Sequence, residues 1–135
     1  ELLTAHGDDV DPFVRSRMLG GSAPSGEDQR ANQEERARGI AAFDAVFEQY
    51  DVLALPTTAI LAPTREELRD PERLIAKNRL LLRNTSLANF FDLCAVSLPL
   101  LDGAALPCGL MLLGRSGADK QLLRAAAAVE AALRA

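Results

Sequence analysis

One histidine, two cysteines and two lysines are the side chains best suited to chemistry in this chain of 135 residues. A Ser-His-Asp triad would have to use His6, and nothing in the spacing brings that residue to an acid and a serine. The polar stretch around His6 marks a solvated surface histidine, and a Cys-His dyad meets the same obstacle. Two cysteines and one histidine without a C-x-x-C spacing make a poor metal set, so neither a metal nor another cofactor is expected. A serine served by a lysine base is chemically sound, because a desolvated lysine is neutral near pH 7. Lys77 falls inside an expected helix and Lys120 in the first turn of another, positions that ordinarily leave an ammonium in water. Gly20-Gly21-Ser22 with Ser25-Gly26 invites a reading as a nucleophile loop or phosphate cradle. It lacks the Gly-x-x-x-x-Gly-Lys pattern and follows no strand, so it reads as a loop ending in a helix-capping serine. No carboxylate pair is flanked by apolar residues that would raise a pKa. Read alone, the sequence holds no catalytic constellation.

The elements that would position such residues belong to an ordinary globular protein. Apolar residues make up 48% of the chain and charged residues 25%, enough buried surface to offset ordering entropy and to exclude long disorder. The length accommodates one domain. A net charge of -4 builds no phosphate-binding field, so nucleic acid is not an expected partner. No apolar run reaches the ~20 residues that span a bilayer, and no basic stretch leads into an apolar one at the start; neither a membrane nor secretion is expected. The chain begins at Glu1 rather than Met, and the expectation is a piece of something longer.

Along the chain, Asp11-Pro12 signals a turn or helix start, with Phe13, Val14 and Met18 at helical spacing. A breaker cluster covers 20–26, and Ser25 with Asp28 has capping-box spacing. A long helix is predicted over 27–49, charged in its first half, with an apolar stripe at Ile40, Phe43, Val46, Phe47 and Tyr50. Val52 to Pro56 is a continuous apolar run, expected to be a strand buried on both faces. Asp70-Pro71-Glu72 opens a helix that should run to about Leu82; a second short helix is predicted for 84–92. Two more strands are expected, from Cys94 to Pro99 and from Cys108 to Leu113, joined as a hairpin through Asp102-Gly103. That hairpin pairs Cys94 near Leu113 and Cys108 near Pro99, leaving the sulfurs roughly 15 Å apart, too far for a bridge. Two buried, reduced thiols are expected, which fits a cytoplasmic location. Ser116 and Asp119 have capping-box spacing before a last helix faced by Leu122, Leu123, Ala126, Val129 and Leu133. Three strands are too few for a self-contained sheet, so the remainder should lie in sequence outside this chain.

Several segments, in order, resemble the C-terminal part of the amidase signature family. They are Val14-Arg15-Ser16-Arg17, Asp51 to Thr57, Arg83-Asn84-Thr85, Asn89 to Pro99, Leu106 to Arg115, and the closing helix with Asp119 and Leu122-Leu123. The resemblance implies an α/β fold in which helices pack on strands of an incomplete mixed sheet, with 1–135 the C-terminal segment of a single amidase domain. It implies hydrolysis of a carboxamide C–N bond by a serine nucleophile, a second serine on a cis peptide and a lysine base. That machinery belongs to the first half of such an enzyme, so this segment alone should be inactive. Gly20-Gly21-Ser22 is not the family's catalytic stretch, since it stands at the wrong place in the order and lacks the double serine.

The resemblance makes Arg17, Thr57, Thr85 and Asn89 candidates for lining the substrate cleft. Arg17 could pair with a substrate carboxylate, against the alternative of an exposed helix arginine. Asn89 could instead satisfy buried backbone groups. Many amidases carry proline where Cys94 stands; the Asp92-Leu93-Cys94-Ala95 version is similar to allophanate hydrolase and related ureido-hydrolases, as loosely is Arg69-Asp70-Pro71. The implied partners are a small amide, the rest of the enzyme and, through exposed strand faces, other copies of the chain. The competing reading is an independently folded, non-catalytic binding or assembly module, whose sheet should close within 1–135.

Overall fold

The computed structural model describes residues 6–19, 24–100 and 106–134. The chain divides into two compact units, Glu1–Glu34 and Glu35–Ala135. In the first, a 3-10 turn over Gly7–Asp9 precedes helix α1, Pro12–Leu19, and the start of α2, Gly26–Phe47. The Asp11 carboxylate caps α1 by accepting from the Phe13 and Val14 N–H groups at 2.9 and 3.2 Å, which satisfies donors that have no partner inside a first turn. The expected stripe on α1 is only weakly buried: Phe13 is half-buried, and Val14 and Met18 are both exposed. At α2 the capping box forms as predicted. Ser25 Oγ accepts from the Asp28 N–H at 3.1 Å, while Asp28 Oδ2 accepts from the Ser25 N–H at 3.1 Å and its hydroxyl at 2.7 Å. These bonds hold the Asp28 carboxyl below its usual range, the Ser25 hydroxyl contributing most. Gly20 to Ala23 and the Asp102-Gly103 turn lie outside the described residues.

The second unit is a three-stranded antiparallel sheet with helices on both faces. Its strands are β1, Leu53–Pro56, β2, Cys94–Leu100, and β3, Cys108–Gly114, in the order β1-β3-β2. The α/β class is as expected. Within the described strands every pairing is antiparallel, and β1, the run expected to be buried on both faces, is an edge strand of alternating burial. The strand buried on both faces is β3, from Met111 to Gly114. Against β2 its register is one residue away from the expected one: Cys94 faces Gly114 and Cys108 faces Leu100. Because side chains alternate with period two, that single step puts the two thiols on the same face. Both are free and only half-buried.

On the first face, Leu98, Leu110 and Leu112 pack with Leu122 and Ala126 of helix α4, Asp119–Leu133. Leu123 and Leu133, expected on that apolar face, are exposed at 60% and 49%, because the contact narrows to the Leu122–Ala126–Val129 row. Ser116 does not cap α4; the capping position falls to Ala118 without a side-chain bond. On the second face, Met111 and Leu113 pack with Ala88 of helix α3, Pro71–Phe90, and with Phe47, Leu53 and Leu55. The two helices predicted between 71 and 92 are one continuous helix, since neither Asn84, Thr85 nor Ser86 breaks it. Thr85 and Ser86 donate to the Leu82 carbonyl at 3.1 and 2.7 Å, hydrogen bonds compatible with a helix interior. Its start is as read: Asp70 Oδ1 accepts from the Arg73 N–H at 2.9 Å, with Pro71 following.

A turn at Asp92, with φ of 55°, leads from α3 into β2. Left-handed backbone is uncommon for a residue with a side chain; here an ion pair between Asp92 and Arg36 of α2 accompanies it. Beside it the Phe91 ring lies 5.1 Å from that of Phe43 and 5.0 Å from that of Phe90. Phe91 also covers Gly39, where an added Cβ would strike the ring. Gly39→Val is therefore expected to lower unfolding stability by about 1–3 kcal/mol through overpacking. Gly26→Ala, whose Cβ meets nothing within 4 Å, serves as the control in urea denaturation; equal midpoints for the two variants would contradict this account.

Candidate functional site

Several polar side chains of the second unit converge where β1 ends. Pro56 terminates the strand, and the next residue continues the ladder: the Thr57 N–H donates to the Gly109 carbonyl at 2.8 Å. The Thr57 and Ser97 hydroxyls share a hydrogen bond of 2.6 Å. They belong to β1 and β2, which are not neighbours, and they meet above the middle strand at Gly109. A Cβ there would stand 2.6 Å from Thr57 Oγ1 and 2.7 Å from Ser97 Oγ. Glycine inside a strand often marks such a close approach. Asn84 of α3 reaches the same junction. It is 7% exposed, and its Nδ2 donates to the Pro56 carbonyl at 2.7 Å, while Arg83 Nε donates to its Oδ1 at 3.3 Å.

Beyond that junction, residues 58–61 turn over the first face of the sheet and wall an open cavity of about 430 Å³. Pro56, Ile60, Leu61, Leu100 and Leu110 make it apolar; Thr58, Cys108 and Gly109 complete its rim. The Thr58 hydroxyl is already committed to the Ile60 carbonyl at 2.9 Å. An apolar concavity with few polar groups is suited to the hydrocarbon part of a small molecule.

Of the four residues expected to line a cleft, Thr57 alone belongs to this cluster, and its hydroxyl points to the face opposite the cavity. Thr85 is occupied within α3 by the Leu82 carbonyl, and Asn89 is exposed on the same helix. The role considered for Asn89, satisfying buried backbone, is filled by Asn84. Arg17 belongs to the N-terminal unit, exposed, its guanidinium 5.9 Å from the centre of the Phe13 ring. That unit has a shallow cavity of about 630 Å³; Arg15 on its wall is paired with Asp8 at 2.8 Å, and Arg17 lies outside the lining. Sequence reasoning missed Asn84, Ser97 and Gly109. A glycine directly after Cys108 in an apolar strand was the available signal for the last.

The lysine-base alternative fails on placement. Lys77 is half-exposed and pairs with the Glu67 carboxylate at 3.3 Å, and Lys120 is exposed. His6 is exposed beside Asp9, 3.4 Å away. Among the described residues, no three His, Cys, Asp or Glu side chains come together as a metal site. Cys94 is structural: its thiol donates to the Arg115 carbonyl at 3.0 Å and lies against Gly114, where a Cβ would sit 3.1 Å from the sulfur. Burial pushes this thiol above its ordinary range, with the Asp119 carboxylate adding to the effect.

Residues 6–123 match the Amidase family. The chain is 30% identical over 123 residues to a 2-amino-5-chloromuconic acid deaminase of Comamonas testosteroni, covering 90% of this chain and 27% of that protein. It is 37% identical over 106 residues to a fatty acid amide hydrolase of Medicago truncatula, covering 76% of this chain and 18% of that one. The fold is shared with a crystal structure of an amidase, at a TM-score of 0.67 and 23% identity, over 90% of this chain and 28% of the other. The chain belongs to the amidase signature family. It spans roughly a fifth to a quarter of the length of these relatives.

Asn84→Ala, which removes the tether on the Pro56 carbonyl and leaves a void, is expected to cost about 1–3 kcal/mol; an unchanged melting temperature would show that the bond carries no weight. The raised Cys94 thiol keeps its proton in the folded chain at pH values where the unfolded chain, near the ordinary value of 9.0, has lost it. Its contribution to stability is therefore full below that pH and is lost as the pH rises through the folded value. Alkylation of Cys94 at pH 9 should accelerate when the chain is unfolded in urea; equal rates would remove the thiol from the core.

Proposed function

We propose that residues 1–135 form the C-terminal part of an amidohydrolase that cleaves the C–N bond of a carboxamide, and that they supply one wall of its substrate cleft. The carrying observation is the family match over residues 6–123. The resemblance assigns the reaction to a serine nucleophile, a relay serine on a cis peptide and a lysine base, all outside 1–135. Amide hydrolysis of this kind needs a held acyl group as well as a nucleophile. The apolar cavity beside Thr58 and Leu110 is suited to the acyl or aryl side of the substrate. Arg17, Thr57, Thr85 and Asn89 remain proposed cleft residues on the resemblance, although none of them lines that cavity; Arg17 is the one able to meet a substrate carboxylate.

The partners of this reading are the small amide, the N-terminal remainder of the enzyme and, for the isolated segment, further copies of itself. In the described sheet β1 and β2 each have one strand neighbour, so each has an edge on which a further strand can add. The same open edges count against an independent binding module. No described helix is long and apolar enough to cross a membrane, and the two free thiols accord with a reducing, cytoplasmic setting. A ureido-amide substrate such as allophanate is the alternative, resting on Asp92-Leu93-Cys94-Ala95 and loosely on Arg69-Asp70-Pro71; Cys94 itself packs on Gly114 and against the Leu122 cluster.

The deciding assay measures ammonia or amine release from simple carboxamides by residues 1–135 and by the longest protein carrying them. The segment is expected to be inactive and the longer protein active; hydrolysis by the segment alone, or by neither, overturns the proposal. In the active protein Arg17→Ala should weaken turnover of acidic amides more than neutral ones, and equal losses would retire that role. At low concentration the segment is expected to elute as an associated species on size exclusion, and a stable monomer would count against the open edges.

A further inference from the structure

The hydroxyl pair across Gly109 has a geometry that an ordinary sheet forbids. Strands two places apart lie roughly 9–10 Å from one another, and the side chain of the strand between them normally fills the space. Here the middle strand offers no side chain at Gly109, and Thr57 and Ser97 close over it at 2.6 Å. The bond ties the outer strands together at the point where β1 becomes the wall of the apolar cavity. Thr57 immediately precedes Thr58, and Gly109 both borders the cavity and underlies the clasp. Three bonds thus fix the junction: Thr57 N–H to Gly109 carbonyl, Thr57 to Ser97, and Asn84 to the Pro56 carbonyl.

We propose that Ser97, acting across Gly109, is a positioning residue that sets the course of residues 57–61 and thereby the shape of the apolar cavity. Ser97 touches nothing in the cavity itself; it works through Thr57. As a role in substrate binding, this rests on the amidase reading. As a statement about the loop, it stands on the geometry alone.

The test is hydrogen exchange on the 135-residue chain carrying Ser97→Ala, Ser97→Thr or Gly109→Ala. Ser97→Ala should raise exchange at the Thr57 amide and over 58–61 by roughly fivefold, the net strength of one hydrogen bond, while Leu112 and Leu113 keep their protection. Ser97→Thr, which retains the hydroxyl, should restore the native rates. Gly109→Ala should loosen the same loop; should it fail to fold, the two serine variants decide. Unchanged loop exchange in Ser97→Ala, or a rise spread evenly through β3, overturns the positioning role. In the longer, amide-cleaving protein, Ser97→Ala should raise KM for an anilide at constant kcat, and a fall in kcat alone overturns it. If that protein cleaves no amide, the functional reading fails and the exchange data still judge the clasp.

Discussion

Residues Met111 to Gly114 of β3 are buried with a helix layer on either side, and Leu112 and Leu113 are 2% and 1% exposed. Everything else in the second unit is arranged around that burial. Leu112 faces α4 and Leu113 faces α3, so the strand needs apolar side chains in succession rather than in alternation. Its two partners need only one apolar face each, and both show it as alternating burial. The narrowness of the α4 contact follows as well. A short, three-stranded sheet presents one row of leucines, and only the matching row of the helix is covered.

At the opposite end of the same strand the requirement reverses. Cys108 and Gly109 lie where β3 enters the sheet, and here the middle strand gives up its side chain. That absence lets a serine and a threonine from the outer strands meet, while on the other face Cys108 and Leu110 border the apolar hollow. Helix α3 contributes to both ends: Ala88 packs under Leu113 and Met111, and four residues earlier Asn84 reaches the end of β1. The site is therefore made by the sheet's pairing and by one helix crossing beneath it.

Much of this is legible in the sequence. The caps at Ser25–Asp28 and Asp70–Pro71, the three strands, the helices α2 and α4 and the family itself all rest on local chemistry or ordered motifs. The departures cluster where a neighbour decides. A run of polar residues at 84–86 reads as a helix break because its hydroxyls and amide can bond locally in other conformations; two of them bond back to Leu82 and the third reaches Pro56. Asn89 and Asn84 are the same residue type on the same helix, and only packing determines which faces the sheet. The hairpin register differs by one from the expected pairing because nothing in the link between β2 and β3 fixes it from sequence alone.

The sequence by itself settled which segments are helical or extended, how two of the helices begin, and to which family the chain belongs, since those depend on residues close together along the chain. It could not settle which apolar strand lies in the middle, because Val52 to Pro56 and Cys108 to Leu113 are alike in composition. Strand order and register arose from packing between distant segments, and with them came the meeting of Thr57 and Ser97. Forty residues separate those hydroxyls, and nothing local to either one announces the other.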